Sequence, residues 1–146
     1  MQDNLIIWAE RRADLRWTHS DRSVIQIYNI ENKVKREIRN KNKLFSPVIS
    51  PDLQSFAAVE VDPANNFSLS VFNLATGKLI ERFKTNDNEY FFTPSWNDTG
   101  DKLYVVCLSA KGKYLASIDI KSKQIQPLTA VTFANLKNPV YSHGKV

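Results

Sequence analysis

Two short landmarks recur along this chain, out of phase with each other and at nearly the same spacing. Asn29, Asn73 and Asp119 each close an apolar stretch, Ile27-Tyr28-Asn29-Ile30, Val71-Phe72-Asn73-Leu74 and Ser117-Ile118-Asp119-Ile120, and a polar turn follows each of them. The second landmark is proline-centred: Ser46-Pro47-Val48-Ile49-Ser50-Pro51-Asp52, then Thr93-Pro94-Ser95-Trp96-Asn97-Asp98, then Asn138-Pro139-Val140-Tyr141-Ser142-His143-Gly144. The first set steps by 73 − 29 = 44 and 119 − 73 = 46 residues, the second by 94 − 47 = 47 and 139 − 94 = 45. Two independent markers with one period of about 45 residues require a repeat architecture.

Between the landmarks the chain reads as short strands, apolar at every second position or throughout, punctuated by turn residues. One unit offers strands at Pro47 to Ser50, Ser55 to Val61, Ser68 to Leu74 and Leu79 to Phe83. The next offers Pro94 to Trp96, Leu103 to Leu108, Tyr114 to Ile120 and Gln124 to Leu128. Four antiparallel strands per 45-residue repeat describe the blade of a β-propeller. The reading is therefore all-β: residues 1–38 form a partial blade (second to fourth strands), 39–84 and 85–128 two complete blades, and 129–146 the start of a further one. No stretch carries a sustained helical period, so no helix beyond a turn or two is expected. Two whole blades between two partial ones suit a segment of a larger protein.

The chain has 146 residues, of which 42% are hydrophobic and 11% aromatic, enough to fill a core. Its apolar runs are too short for a transmembrane helix, and Met1-Gln2-Asp3-Asn4 before Leu5 does not form a signal peptide. The single cysteine, Cys107, sits inside an apolar strand and reads as a core thiol.

The proline landmark carries a family resemblance. Pro47-Val48-Ile49-Ser50-Pro51-Asp52 resembles the repeat of TolB-like propellers, Pro-x-Trp-Ser-Pro-Asp-Gly-Lys, with Ile49 for tryptophan and Leu53 for glycine. Pro94-Ser95-Trp96-Asn97-Asp98 keeps the tryptophan, with the glycine of Gly100-Asp101-Lys102 read one position late; the third copy diverges most. The similarity spans roughly residues 24–146. Around Arg16-Trp17 and Ser23-Val24-Ile25 the chain also looks like the propeller region of large bacterial envelope proteins. The resemblance implies a scaffold, located in the periplasm or at the cell envelope, that binds a protein or an envelope polymer and packs against further blades of its own parent chain. Its alternative implication is the accessory propeller of a prolyl-oligopeptidase-type serine peptidase whose catalytic domain lies outside these residues. Neither family's propeller supplies catalytic residues by motif.

The residues themselves suggest no enzyme. There is no Gly-x-Ser-x-Gly elbow, and four scattered glycines cannot make a phosphate-cradling loop. His19 and His143 lie in different units without partners at metal-ligand spacing, so neither metal nor cofactor is expected. The basic run Lys33, Lys35, Arg36, Arg39, Lys41, Lys43 supplies much of the net charge of +5, but no aromatic residues interleave with it as nucleic-acid stacking needs. It reads as a solvated edge.

Loop lengths point to one end of the blades. Turns joining first to second and third to fourth strands are tight, whereas connections at the opposite end read as long: Glu10 to Arg22, Arg39 to Phe45, Lys84 to Phe92 and Thr129 to Asn138. Long loops on a rigid scaffold are where recognition concentrates. The candidate partner-binding residues are thus Arg12, Asp14, Arg16, Trp17, Asp87, Glu89 and Tyr90, with Phe133 on the same face. Two further expectations concern packing. Trp96, Val48, Phe56, Val105, Leu69 and Ile118 should fill one interface between the complete blades. Apolar faces should be left open near Leu5 to Trp8 and near Leu136 to Tyr141.

Overall fold

The computed structural model describes residues 4–12, 22–85 and 89–142, with Arg22 described in its backbone only. Eleven strands occur in chain order: β1 (Leu5–Arg12), β2 (Arg22–Asn29), β3 (Lys35–Arg39), β4 (Lys43–Ile49), β5 (Ser55–Val61), β6 (Phe67–Asn73), β7 (Leu79–Lys84), β8 (Tyr90–Trp96), β9 (Lys102–Ser109), β10 (Gly112–Asp119) and β11 (Ile125–Pro127). They form three antiparallel meanders, β1-β2-β3, β4-β5-β6-β7 and β8-β9-β10-β11. The sheets stack in sequence order. Strand β4 lies beside β1 and β2 on one side and β8 on the other, so the first strands of the two complete sheets line the inner edge together. No helix occurs among the described residues.

The two sequence landmarks mark two backbone devices. Oδ1 of Asn29 accepts from the amides of Glu31 and Asn32 at 2.9 and 3.1 Å, that of Asn73 from Thr76 at 2.8 Å, and that of Asp119 from Lys121 and Ser122 at 3.1 and 2.8 Å. Such side-chain acceptors replace a backbone partner in the turn. Four residues on, Lys33, Gly77 and Lys123 all take left-handed conformations, φ 58°, 71° and 60°. Gly77 is also pinned sterically, since a Cβ there would lie 2.7 Å from Cγ2 of the buried Ile38 in the first sheet. Gly77→Ala should lower stability by about 1–3 kcal/mol, combining left-handed strain with overpacking. Denaturant unfolding, with Lys33→Gly as a strain-relieving control, checks this.

At the proline landmark, Ser46, Thr93 and Asn138, each the residue before a proline, have φ of 47°, 41° and 45°. This is an unfavourable region for a residue that also has the proline ring to avoid. The pairing register breaks at the same points, between Phe45 and Val48 and between Phe92 and Ser95. Pro47 and Pro94 therefore sit in bulges inside β4 and β8, where no ladder donor is needed. This corrects the strand starts, which lie at Lys43 and Tyr90 rather than at Pro47 and Pro94. The connections expected over Arg39 to Phe45 and Lys84 to Phe92 shorten accordingly. The turn after the bulged strand also corrects the alignment: Leu53 (φ 57°) and Gly100 (φ 73°) donate equivalently to Ser50 and Asn97, so the glycine of the second copy is in register, not late.

Two cores result. Between the second and third sheets, Ala57, Val59, Leu69, Val71, Phe83, Phe91, Leu103, Val105, Cys107, Ala116 and Ile118 are buried, with Val48 and Trp96 packed against them. Phe56 does not belong there. It points to the first sheet and stacks on Phe72 at 5.1 Å within the cluster of Ile25, Ile27, Ile38, Leu44, Ile49, Ala58 and Leu74. The apolar face expected near Leu5 to Trp8 is also corrected. Leu5, Ile7 and Ala9 pack inward, while the outward side bears Ile6 and Trp8 together with an ion-pair network. Arg12 reaches Glu37 at 2.6 Å and Glu10 at 3.1 Å, Arg39 reaches Glu37 at 2.5 Å, and Lys35 lies 3.8 Å from Glu10 and 5.4 Å over the Trp8 ring.

Candidate functional site

Among the described residues, polar side chains from several segments converge at the end of the second sheet where β5 gives way to β6 and β7 runs on towards β8. A cleft of about 430 Å³ opens there. Asn42 enters from the β3–β4 connection, Asp62, Asn65 and Asn66 from the β5–β6 loop, Arg82 and Lys84 from β7, and Glu89 and Tyr90 from the approach to β8.

Its floor is a buried carboxylate. Glu60, 1% exposed, sits on β5 among apolar neighbours and would be costly without partners. Arg82 donates through Nε to Oε2 at 2.8 Å and through Nη2 to Oε1 at 2.9 Å, a bidentate pair. Asn42 Nδ2 donates to Oε1 at 2.7 Å and Ser70 Oγ to Oε2 at 2.5 Å. Burial pushes the Glu60 pKa up, but hydrogen bonds from Arg82, Ser70 and Asn42 and the Arg82 charge outweigh it and hold the carboxyl below its usual range.

The walls are held as firmly. Asp62 Oδ1 accepts from the amides of Ala64 and Asn66, and Oδ2 from Asn66 Nδ2, all at 2.9 Å, which fixes the β5–β6 loop. Hydrogen bonds from Asn66 hold the Asp62 carboxyl low in pKa. Phe67 and Tyr90 meet edge to face with ring centroids 4.7 Å apart. Thr85 Oγ1 donates to the Glu89 carbonyl at 2.9 Å, and Tyr114 Oη donates to Glu89 Oε2 at 3.1 Å. Tyr114 is tied inward to Cys107, whose thiol burial pushes up to about 11 against that hydrogen bond. The thiol is thus protonated and unreactive at neutral pH.

The sequence-derived candidates separate in this geometry. Glu89 and Tyr90 line the cleft, although Tyr90 opens strand β8 instead of lying in a loop. Arg12 ends strand β1 and belongs to the ion-pair network on the outer side of the first sheet, where it is drawn by Glu10 and Glu37. Asp14, Arg16, Trp17 and Asp87 lie outside the described residues, as do His19 and His143. Phe133 is 92% exposed. The cleft residues that sequence reasoning missed are Asn42, Glu60, Asp62, Asn66, Arg82 and Lys84. One signal pointed to them, the acid Glu60 near the end of the otherwise apolar strand Ser55 to Val61. The basic run is largely exposed, and Arg36 spends its guanidinium on the carbonyls of Leu74 and Ala75, tying the first sheet to the turn at Gly77. No group of three or more His, Cys, Asp or Glu side chains comes together as a metal site among the described residues. No helix there is long and apolar enough to cross a membrane.

Three stacked meanders of this repeat define a β-propeller segment, and known structures agree. The β-propeller domain of the Trilobed protease from Pyrococcus furiosus, which has an open velcro topology, superposes with a TM-score of 0.63 at 21% identity over 86% of this chain and 39% of that one. TolB from Acinetobacter baumannii gives 0.65 at 17% identity over 86% of this chain and 30% of that one. Acylaminoacyl peptidase from Pyrococcus horikoshii gives 0.65 at 17% identity over 88% and 24%. The chain therefore spans less than half the length of these similar proteins, and at such identities the likeness is one of fold. By sequence, no family model and no curated protein matches the chain.

Proposed function

We propose that this chain is a non-catalytic binding segment of a TolB-like propeller, engaging a protein or a cell-envelope polymer in the periplasm or at the envelope. The observation that carries the reading is the cleft, where firmly held polar side chains and an aromatic pair converge at one end of a rigid sheet stack. The partner-binding residues of this reading are Glu89 and Tyr90 in the cleft, Arg12 on the outer side of the first sheet, and Asp14, Arg16, Trp17 and Asp87; the remaining blades of the parent chain are its intramolecular partner. Photo-crosslinkers placed at Tyr90 and Trp17 of the parent protein should capture the same envelope component. Tyr90→Ala or Trp17→Ala should weaken that capture by the roughly 30-fold equivalent of a hot-spot loss of about 2 kcal/mol, with the melting temperature held. Unchanged binding with a lowered melting temperature would assign both residues to packing instead.

A second reading draws on the peptidase propellers among the similar structures: an accessory propeller beside a serine peptidase domain. A fluorophosphonate probe, which labels activated serines, separates the two. Labelling of the parent protein outside residues 1–146 favours the peptidase, and absence of labelling with retained partner capture favours the scaffold.

A further inference from the structure

Within the proposed binding cleft, and resting on that proposal, the charges are not equally available. Glu60 is consumed by Arg82, and the Asp62 oxygens are filled by the loop around them, with Lys84 as a further charge partner. Glu89 differs. Among the described residues its Oε2 accepts one hydrogen bond, from the uncharged donor Tyr114, which fixes the carboxylate at the rim. Beside it stand the Phe67–Tyr90 pair and the half-open ring of Tyr90, 36% exposed.

We infer that this corner of the cleft binds a basic side chain, a lysine or arginine of a partner peptide, with its charge on Glu89 and its stem or guanidinium plane on Tyr90. An acid next to an aromatic face supplies both attractions that a cation can use, an ion pair and the ring quadrupole. Of the cations in the cleft, Arg82 is held in a bidentate pair by Glu60, and Lys84 lies within electrostatic reach of Asp62. Counting Glu60, Asp62 and Glu89 against Arg82 and Lys84, the described lining of the cleft carries one net negative charge on a chain whose total is +5. An acidic side chain arriving at this corner would meet the like charge of Glu89.

The test uses the 146-residue chain and three blocked tripeptides, acetyl-Gly-Arg-Gly-amide, acetyl-Gly-Lys-Gly-amide and acetyl-Gly-Glu-Gly-amide, titrated by calorimetry at low salt. The arginine and lysine peptides should bind with Kd of about 1 mM, the scale of a single charged contact, and the glutamate peptide should not. Glu89→Gln, which preserves shape, and Tyr90→Leu should each weaken the basic peptides about tenfold. Equal or tighter binding of the glutamate peptide, no binding of either basic peptide, or indifference to Glu89→Gln would overturn the inference. The outcome is separable from that of the broader binding reading: partner capture by the parent protein that survives Glu89→Gln leaves a binding propeller standing and removes only the basic-side-chain site.

Discussion

Arg82→Ala is expected to destabilise the chain by about 3–5 kcal/mol, far beyond what an exposed ion pair would cost, because it strands a buried carboxylate. Glu60 is 1% exposed, and Arg82 provides two of its four hydrogen bonds. The asymmetry is testable within the pair. Replacing Glu60 by Leu together with Arg82 by Met removes both charges and should recover most of that loss, since an apolar pair needs no solvation to be given up. The pH dependence follows from the direction of the Glu60 shift. Its folded pKa is lowered, so its contribution is fully present above the unfolded carboxyl value of about 4.3 and is lost as pH falls through the folded value. Acid unfolding of the wild type should therefore steepen below about pH 4, and the Leu/Met double variant should lack that component. A double variant as unstable as Arg82→Ala alone would mean that the network has a role beyond balancing charge.

The isolated chain should also self-associate at micromolar concentration, through one side only. The two ends of the sheet stack differ in chemistry. On the outer side of the first sheet, Ile6 and Trp8 are interrupted by the Arg12, Glu10, Glu37, Arg39 and Lys35 network. At the other end, Phe92, Val106 and Leu115 form a row across β8, β9 and β10, on the side turned away from the shared core. The segment after β11 returns across this end, pairing Thr132 with Lys113 and stacking Tyr141 on Tyr104 at 5.5 Å. It still leaves Phe133 92%, Val140 69% and Val131 46% exposed. Micromolar association needs about 8 kcal/mol, and clustered exposed apolar side chains such as these are what a second copy would bury. Sedimentation velocity should show mass rising with concentration, and Phe133→Glu with Val140→Glu should shift the chain towards monomer. A wild-type monomer unaffected by concentration would refute this.

Only a minor part of the candidate site is legible in the amino-acid sequence. Glu89 and Tyr90 stand out as a charge and an aromatic ring in a connection between blades. Glu60 announces itself only as an acid inside an apolar run, and its partners Asn42, Ser70 and Arg82 come from three other segments. A carboxylate's burial depends on which distant donors reach it, and one strand's sequence does not contain that information. The same separation moves Arg12 away from the cleft: strand β1 carries it to the outer side of the first sheet, beside Glu37 of β3.

What the sequence determined by itself was everything that acts over a few residues. The Asx turns at Asn29, Asn73 and Asp119, and the backbone kinks before Pro47, Pro94 and Pro139, are each set by neighbouring chain, so they recur wherever the local residues recur. Together they fix the repeat and hence the sheet-stack fold. Only the tertiary structure decided which side of each strand faces which core. In Ser55 to Val61 nearly every residue is buried, so both sides of the strand are covered and alternation alone cannot tell them apart. The bulges at Ser46 and Thr93 then shift the parity of β4 and β8 against their neighbours. That is why Phe56 went to the first sheet and why the two ends of the stack, one closed by ion pairs and one open and apolar, became visible only once the sheets were placed side by side.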